Sequence, residues 1–176
     1  MDTETDNLLN ESQDNDLIYE IISKDELLKR ILQSNLEMTQ ILNNFISSVN
    51  SNDFNSTEIY AKWFSRNLRN VIKSSNALLK KNDIDDFSKN YIQSILFIAN
   101  LMVSDLKILI SSAEIMELDY EFNNDVDYDK FIRNVKSLLT RCDSISEKLK
   151  LALNNFKFSK PLRSYISCKA FSTPLP

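Results

Sequence analysis

The first proline in this chain is Pro161, and there is no glycine at all in its 176 residues. Nothing in the first 160 residues therefore forbids a helix. Apolar side chains recur at three and four residues throughout, which is the helical period, so the expected fold class is all-α. Four long segments carry the pattern. Ser23 with Glu26 three residues on forms a capping-box signature that opens the first, running to about Val49 with Leu28, Ile31, Leu32, Met38, Leu42, Phe45, Ile46 and Val49 on one face. A short helical turn through "DLIYEII" precedes it.

The polar stretch "SNDFNSTE" puts a cap at Asn55, with Glu58 three residues later, and opens a second segment from about Ser56 to Lys80. Its expected buried face is Tyr60, Phe64, Leu68, Val71, Ile72, Leu78 and Leu79. "KKNDIDD" breaks the chain, and Asp83 or Asp85 caps a third segment ending near Glu117. The fourth keeps a seven-residue repeat, with Tyr128, Val135, Cys142, Leu149 and Phe156 alternating with Phe131, Leu138, Ile145 and Ala152. Three of these segments would be about 45 to 55 Å long and the second about 38 Å. Short connections make neighbours antiparallel, so the expected architecture is an elongated, coiled-coil-like antiparallel four-helix bundle with a short extra N-terminal helix and flexible termini. By domain, residues 1–14 read as an acidic leader, 15–158 as one bundle, and 159–176 as a basic and aromatic tail.

The same composition removes whole classes of chemistry. Without glycine there is no Walker loop, dinucleotide fingerprint, nucleophile elbow or calcium-loop turn, each of which needs positive φ or close backbone approach. Without histidine there is no conventional zinc protease site, no Ser-His-Asp triad and no Cys-His dyad. The expectation is a protein that is not an enzyme and takes no cofactor or metal. Cys142 and Cys168 show neither metal nor redox spacing and read as reduced thiols. The leader "MDTETDNLLNESQDND" is acidic where a secretory signal is basic and then apolar, which points to an intracellular location. A formal charge of -4 argues against a generally basic nucleic-acid binder.

"NYIQSILFIANLMVS", residues 90–104, carries no charge. Fifteen residues make about 22 Å of helix, short of the ~30 Å hydrocarbon core, and the run contains several polar side chains, so no transmembrane segment is expected. On a helical wheel the third segment's main apolar arc holds Phe87, Tyr91, Ile95, Ile98, Met102, Leu106, Leu109, Ala113 and Met116. Phe97, Leu101, Ile108 and Ile115 lie outside that arc and align with one another at spacings of four, seven and seven. Either a neighbouring helix or the tail covers this second stripe, or it is a contact surface for a partner.

Lys62, Arg66, Arg69, Lys73 and Lys80 form a line on the second segment opposite its apolar face, and no acid occurs from Ile59 through Asn82. Such a ridge suits a row of carboxylates or phosphates, although a solvated face is the commoner meaning. The acidic leader is one candidate occupant. Asn35 sits amid the first segment's apolar arc, where an asparagine can set register or partner choice. The tail, with Arg163, Tyr165, Ile166 and Phe171, has the composition of a docking segment or of a strap folded over the bundle. These features suggest a non-enzymatic scaffold or adaptor subunit of a multiprotein assembly, whose expected partners are other proteins, helical ones first, with a homodimer among them. The alternatives are an electrostatic binder of nucleic acid or anionic membrane through the ridge, and a viral or parasite helical protein that masks a host protein.

Overall fold

A computed structural model describes residues 16–154, so residues 1–15 and 155–176, including Phe156, Cys168 and the tail positions Arg163, Tyr165, Ile166 and Phe171, lie outside the described part. Within it the protein is all-α, with five helices and no strand. These are α1 (Asp16–Ile21), α2 (Lys24–Asn50), α3 (Asn55–Leu79), α4 (Asp86–Glu121) and α5 (Tyr128–Leu153). The four long helices pack in a ring in chain order, α5 closing against α2, and α1 lies against α3. Asn134 Nδ2 donates to Ser112 Oγ at 3.1 Å and Arg141 Nε to Asp105 Oδ2 at 3.3 Å, so positions rise along α5 as they fall along α4.

Helix lengths differ from expectation in an informative way. Only α4, at 36 residues, reaches about 54 Å, whereas α2 and α5, at 27 and 26, are about 40 Å. The third segment runs on past Glu117 to Glu121. It overreaches α3, and Tyr120 near its end meets Phe54 in the α2–α3 turn, ring centroids 5.7 Å apart.

Helix starts follow the sequence closely. Ser23 Oγ accepts from Glu26 N at 3.3 Å, Asp85 Oδ1 from Ser88 N at 2.7 Å and Asp127 Oδ1 from Lys130 N at 3.0 Å. The cap assigned to Asn55 is corrected: Asn55 is the first helical residue of α3, and Phe54 in the cap position offers no side-chain acceptor. Asp53, one residue earlier, accepts from Ser56 N at 3.3 Å instead.

Helix ends show how a chain without glycine stops. Asn52 and Asn123 have φ of 57° and 52°, the left-handed region that follows a helix end. After α2, Asp53 N donates to Ser48 O at 2.8 Å and Asn52 N to Val49 O at 3.0 Å. After α4, Asn124 N donates to Asp119 O at 2.8 Å and Asn123 N to Tyr120 O at 3.2 Å. Both are Schellman turns, with asparagine, the residue that best tolerates this conformation after glycine, at the critical position.

The core matches the apolar arcs. On α5, all of Phe131, Val135, Leu138, Cys142, Ile145, Leu149 and Ala152 are buried. Phe45 of α2 ties three helices together, its ring 5.7 Å from Tyr60 of α3 and 6.3 Å from Phe131 of α5. On α4, Ile95, Met102, Leu106 and Leu109 are buried as expected, but Ile98 is only partly so and Phe87 is exposed. Ile92 and Ala99 take those places in the wall.

Asp85 illustrates the energetics of a cap. Its hydrogen bonds from the Ser88 backbone N–H and hydroxyl hold the carboxyl below the ordinary value of 3.8. A depressed folded pKa contributes stability above the unfolded pKa, which is lost as pH falls through the folded one. Unfolding midpoints should therefore be level down to about pH 5 and drop as pH falls through 3.8 and below. Asp85→Asn, which keeps an acceptor but not the charge, should show a shallower acid decline in urea titrations.

Candidate functional site

Exposure singles out the outer face of α4. Phe97, Ile108 and Ile115 are 65%, 54% and 55% exposed, and Leu101 is half-buried. No other helix of the described residues covers this stripe. It also extends beyond the four positions that the sequence singled out. Leu118 and Phe122 are exposed at 53% and 72% and fall on the same line. With Ser104 and Ser111 between them, positions 97, 101, 104, 108, 111, 115, 118 and 122 follow one another at alternating spacings of four and three. That is a heptad seam, running about 38 Å along the side of α4 facing away from the core.

Two signals hid its full extent. Serine at 104 and 111 breaks the apolar run without breaking the spacing, and ending the helix near Glu117 cut off Leu118 and Phe122. The first end of the seam borders a shallow open groove between α4 and α5, lined by Asn90, Gln93, Ser94, Phe97, Ile98 and Lys148. Its far end is acidic: Glu114, Glu117, Asp119 and Glu121 follow Ile108 on α4 with no base among them.

By length and composition alone α4 is also long and apolar enough to cross a bilayer, because its apolar character continues past Ser104 to Met116. In the bundle one side of it is the core wall, with Ile92, Ile95, Ala99, Met102 and Leu109 fully buried.

The basic ridge is partly engaged by acids of its own chain. Lys62 Nζ lies 2.6 Å from Glu58 Oε1, and Lys80 pairs with Glu20 of α1. The Lys62 hydrogen bond, with its charge, holds the Glu58 carboxyl below its usual range. Lys73 Nζ stands 5.9 Å from the centre of the Tyr19 ring of α1, and the Tyr19 hydroxyl donates to Asn70 Oδ1 at 2.9 Å. Lys81 Nζ donates to Glu20 O at 2.8 Å. Thus α1, which follows the acidic leader directly, is clamped along the C-terminal half of the ridge. Arg66 is exposed and Arg69 partly buried. The exposed pairs contribute little to stability.

Asn35 lies inside the bundle, 1% exposed, and its Nδ2 donates across from α2 to Cys142 O at 3.0 Å and Ser146 Oγ at 2.8 Å on α5. Its Oδ1 is buried with no hydrogen-bond partner among the described residues. The two bonds link α2 to α5, and a buried amide left half-satisfied in this way costs some stability. Burial pushes the neighbouring Cys142 thiol up to about 12, so it is not a reactive thiolate. No cluster of three or more metal-ligating side chains occurs among the described residues.

Comparison with known protein families, curated proteins and solved structures finds no match. The surface geometry therefore carries the functional argument.

Replacing Asn35 tests its structural part. Asn35→Leu removes the unsatisfied oxygen along with two hydrogen bonds and should change stability by about 1 kcal/mol or less. Asn35→Asp buries a carboxyl whose folded pKa is raised above the unfolded ~3.9, so stability falls as pH rises above that value. Urea midpoints at pH 5 and 7 should show Asn35→Asp losing far more at the higher pH, whereas Asn35→Leu should track the parent.

Proposed function

We propose that this chain is a non-enzymatic helical scaffold or adaptor subunit that works by receiving a second amphipathic helix along the outer face of α4. The observation that carries the reading is that α4 is apolar on two opposite sides while only one of them is used by the bundle. The inward side suffices for the core, since Met102 and Leu109 are fully buried there. The outward side keeps strict heptad spacing over three turns of the repeat, which core packing does not require. Exposing Phe97, Ile108, Ile115, Leu118 and Phe122 together costs solubility, and a covering helix would relieve that cost. Each such side chain contributes about 1.5 to 3 kcal/mol when fully buried, against an association cost of about 4 to 15 kcal/mol, so the whole seam rather than one or two residues is needed.

The ridge supports an electrostatic role less well, because Lys62 and Lys80 already face carboxylates and α1 occupies part of the line.

The test is a pair of substitutions on opposite sides of one helix. Met102→Asp places a carboxylate in the core and should leave the protein unfolded, since an unpaired buried charge costs several kcal/mol against a total of about 5 to 15. Leu101→Asp with Ile108→Asp should keep the thermal midpoint within a few degrees of the parent and abolish association in sedimentation and co-purification. A doubly substituted protein that unfolds like Met102→Asp would make the stripe internal. One that stays folded and still associates fully would remove the contact role, and vesicle flotation that depends on the stripe would assign the face to a bilayer instead.

A further inference from the structure

We infer that the helix received by the α4 seam is α4 of a second copy, running antiparallel, so that the protein is a two-fold symmetric dimer; the inference rests on the docking role proposed above. The argument comes from matching the seam against itself. In an antiparallel helix pair, each a position faces a d position of the partner helix. Taking Leu101, Ile108, Ile115 and Phe122 as a positions and Phe97, Ser104, Ser111 and Leu118 as d positions, one alignment pairs all eight. Phe97 meets Phe122 of the second copy, Leu101 meets Leu118, Ser104 meets Ile115, and Ile108 meets Ser111. Each layer then repeats by symmetry on the other side of the dyad.

The sizes are complementary in every layer. The two β-branched isoleucines face the two serines, and the long side chains pair with one another nearer the ends. A parallel pair would instead place Ser104 on Ser104 and Ser111 on Ser111, leaving underfilled layers in the middle of the seam.

Charge selects the same direction. Lys107, Glu114 and Glu121 precede a positions, and in the antiparallel alignment Lys107 comes opposite Glu114 of the second copy on both flanks of the dyad. Both side chains are exposed. In a parallel pair Glu114 would instead come opposite Asp119, a like-charge contact, and the acidic ends of both α4 helices would lie together. Antiparallel pairing carries each acidic end to the opposite end of the partner's seam, where Lys148 lines the groove beside Phe97. The steady drift of a seven-residue repeat around a 3.6-residue helix gives the two α4 helices a left-handed wrap, crossing at about 20°. The contact is isologous and closes at two copies.

Sedimentation of the full chain across the micromolar range should show a monomer–dimer equilibrium. Ile108→Asp should raise the dissociation constant at least 100-fold while the circular dichroism melt is kept. Lys107→Glu and Glu114→Lys, each alone, should weaken the dimer about tenfold, and the double variant Lys107→Glu/Glu114→Lys should restore it. In a Cys168→Ser background, mixed Leu101→Cys and Leu118→Cys proteins should form a disulfide-linked heterodimer on mild oxidation, with neither variant linking efficiently to itself. A folded chain that stays monomeric at 100 µM overturns the inference, as does Leu101→Cys linking to itself in preference, or a Glu114→Lys variant that dimerises more tightly. Monomeric behaviour alone leaves the docking role standing if Leu101→Asp/Ile108→Asp still abolishes binding of an identified partner. Loss of neither association removes both.

Discussion

The inward wall of α4 is the constraint on which the bundle depends. From Ile92 to Met116 it presents a continuous buried face between α3 and α5, which both pack against it. α2 closes the ring opposite, held by Phe45 reaching two neighbours and by Asn35 crossing to α5. Because the helices are joined by short turns, the register of each pair fixes the next. Ser65, Ser74 and Ser75 are buried on α3, and Ser88 is buried where it donates to the Asp85 cap.

The outer seam is a consequence of the same helix being longer and more apolar than its role in the core demands. The outward faces of α2, α3 and α5 are mainly polar or charged, through Gln33, Glu37, Gln40 and Asn43 of α2, Lys62 and Arg66 of α3, and Lys136 and Asp143 of α5. α4 places serine and large apolar residues along its outward side, with Glu114, Glu117, Asp119 and Glu121 clustered toward its C-terminal end. A face of that kind is a directional surface: apolar along its length, polar in a definite order along its flank, and therefore able to distinguish parallel from antiparallel neighbours.

Much of the fold was legible in the sequence, because helix starts, core arcs and the absence of breakers all point the same way. Ser23, Asp85 and the heptads of α5 are where local chemistry alone places them. Other features needed the structure. Asn55 with Glu58 three residues on has the capping spacing, yet Asp53 caps α3, because the path of the turn and not the spacing decides which side chain reaches the free N–H. Phe87 belongs to the apolar arc by angle, yet it is exposed, because α4 begins there and core packing is carried by Ile92 and beyond. Four of the seam's six apolar members, Phe97, Leu101, Ile108 and Ile115, are legible from their spacing alone. Ser104 and Ser111 interrupt it by polarity alone, and Leu118 and Phe122 join it because α4 runs unbroken to Glu121. The ridge was legible as a line of charge, but the docking of α1 along it, through Tyr19 and Glu20, depends on a tertiary contact that no local pattern encodes.

The most direct measurement of the central claim, that the outer face of α4 is a contact surface, is hydroxyl-radical footprinting of the full chain as a function of its own concentration. Phe97, Leu118 and Phe122 should lose reactivity as concentration rises through the association range, while Trp63, which is 48% exposed on α3 and off the seam, should stay constant. Equal behaviour of the seam residues and Trp63 across an association that sedimentation detects would contradict the account.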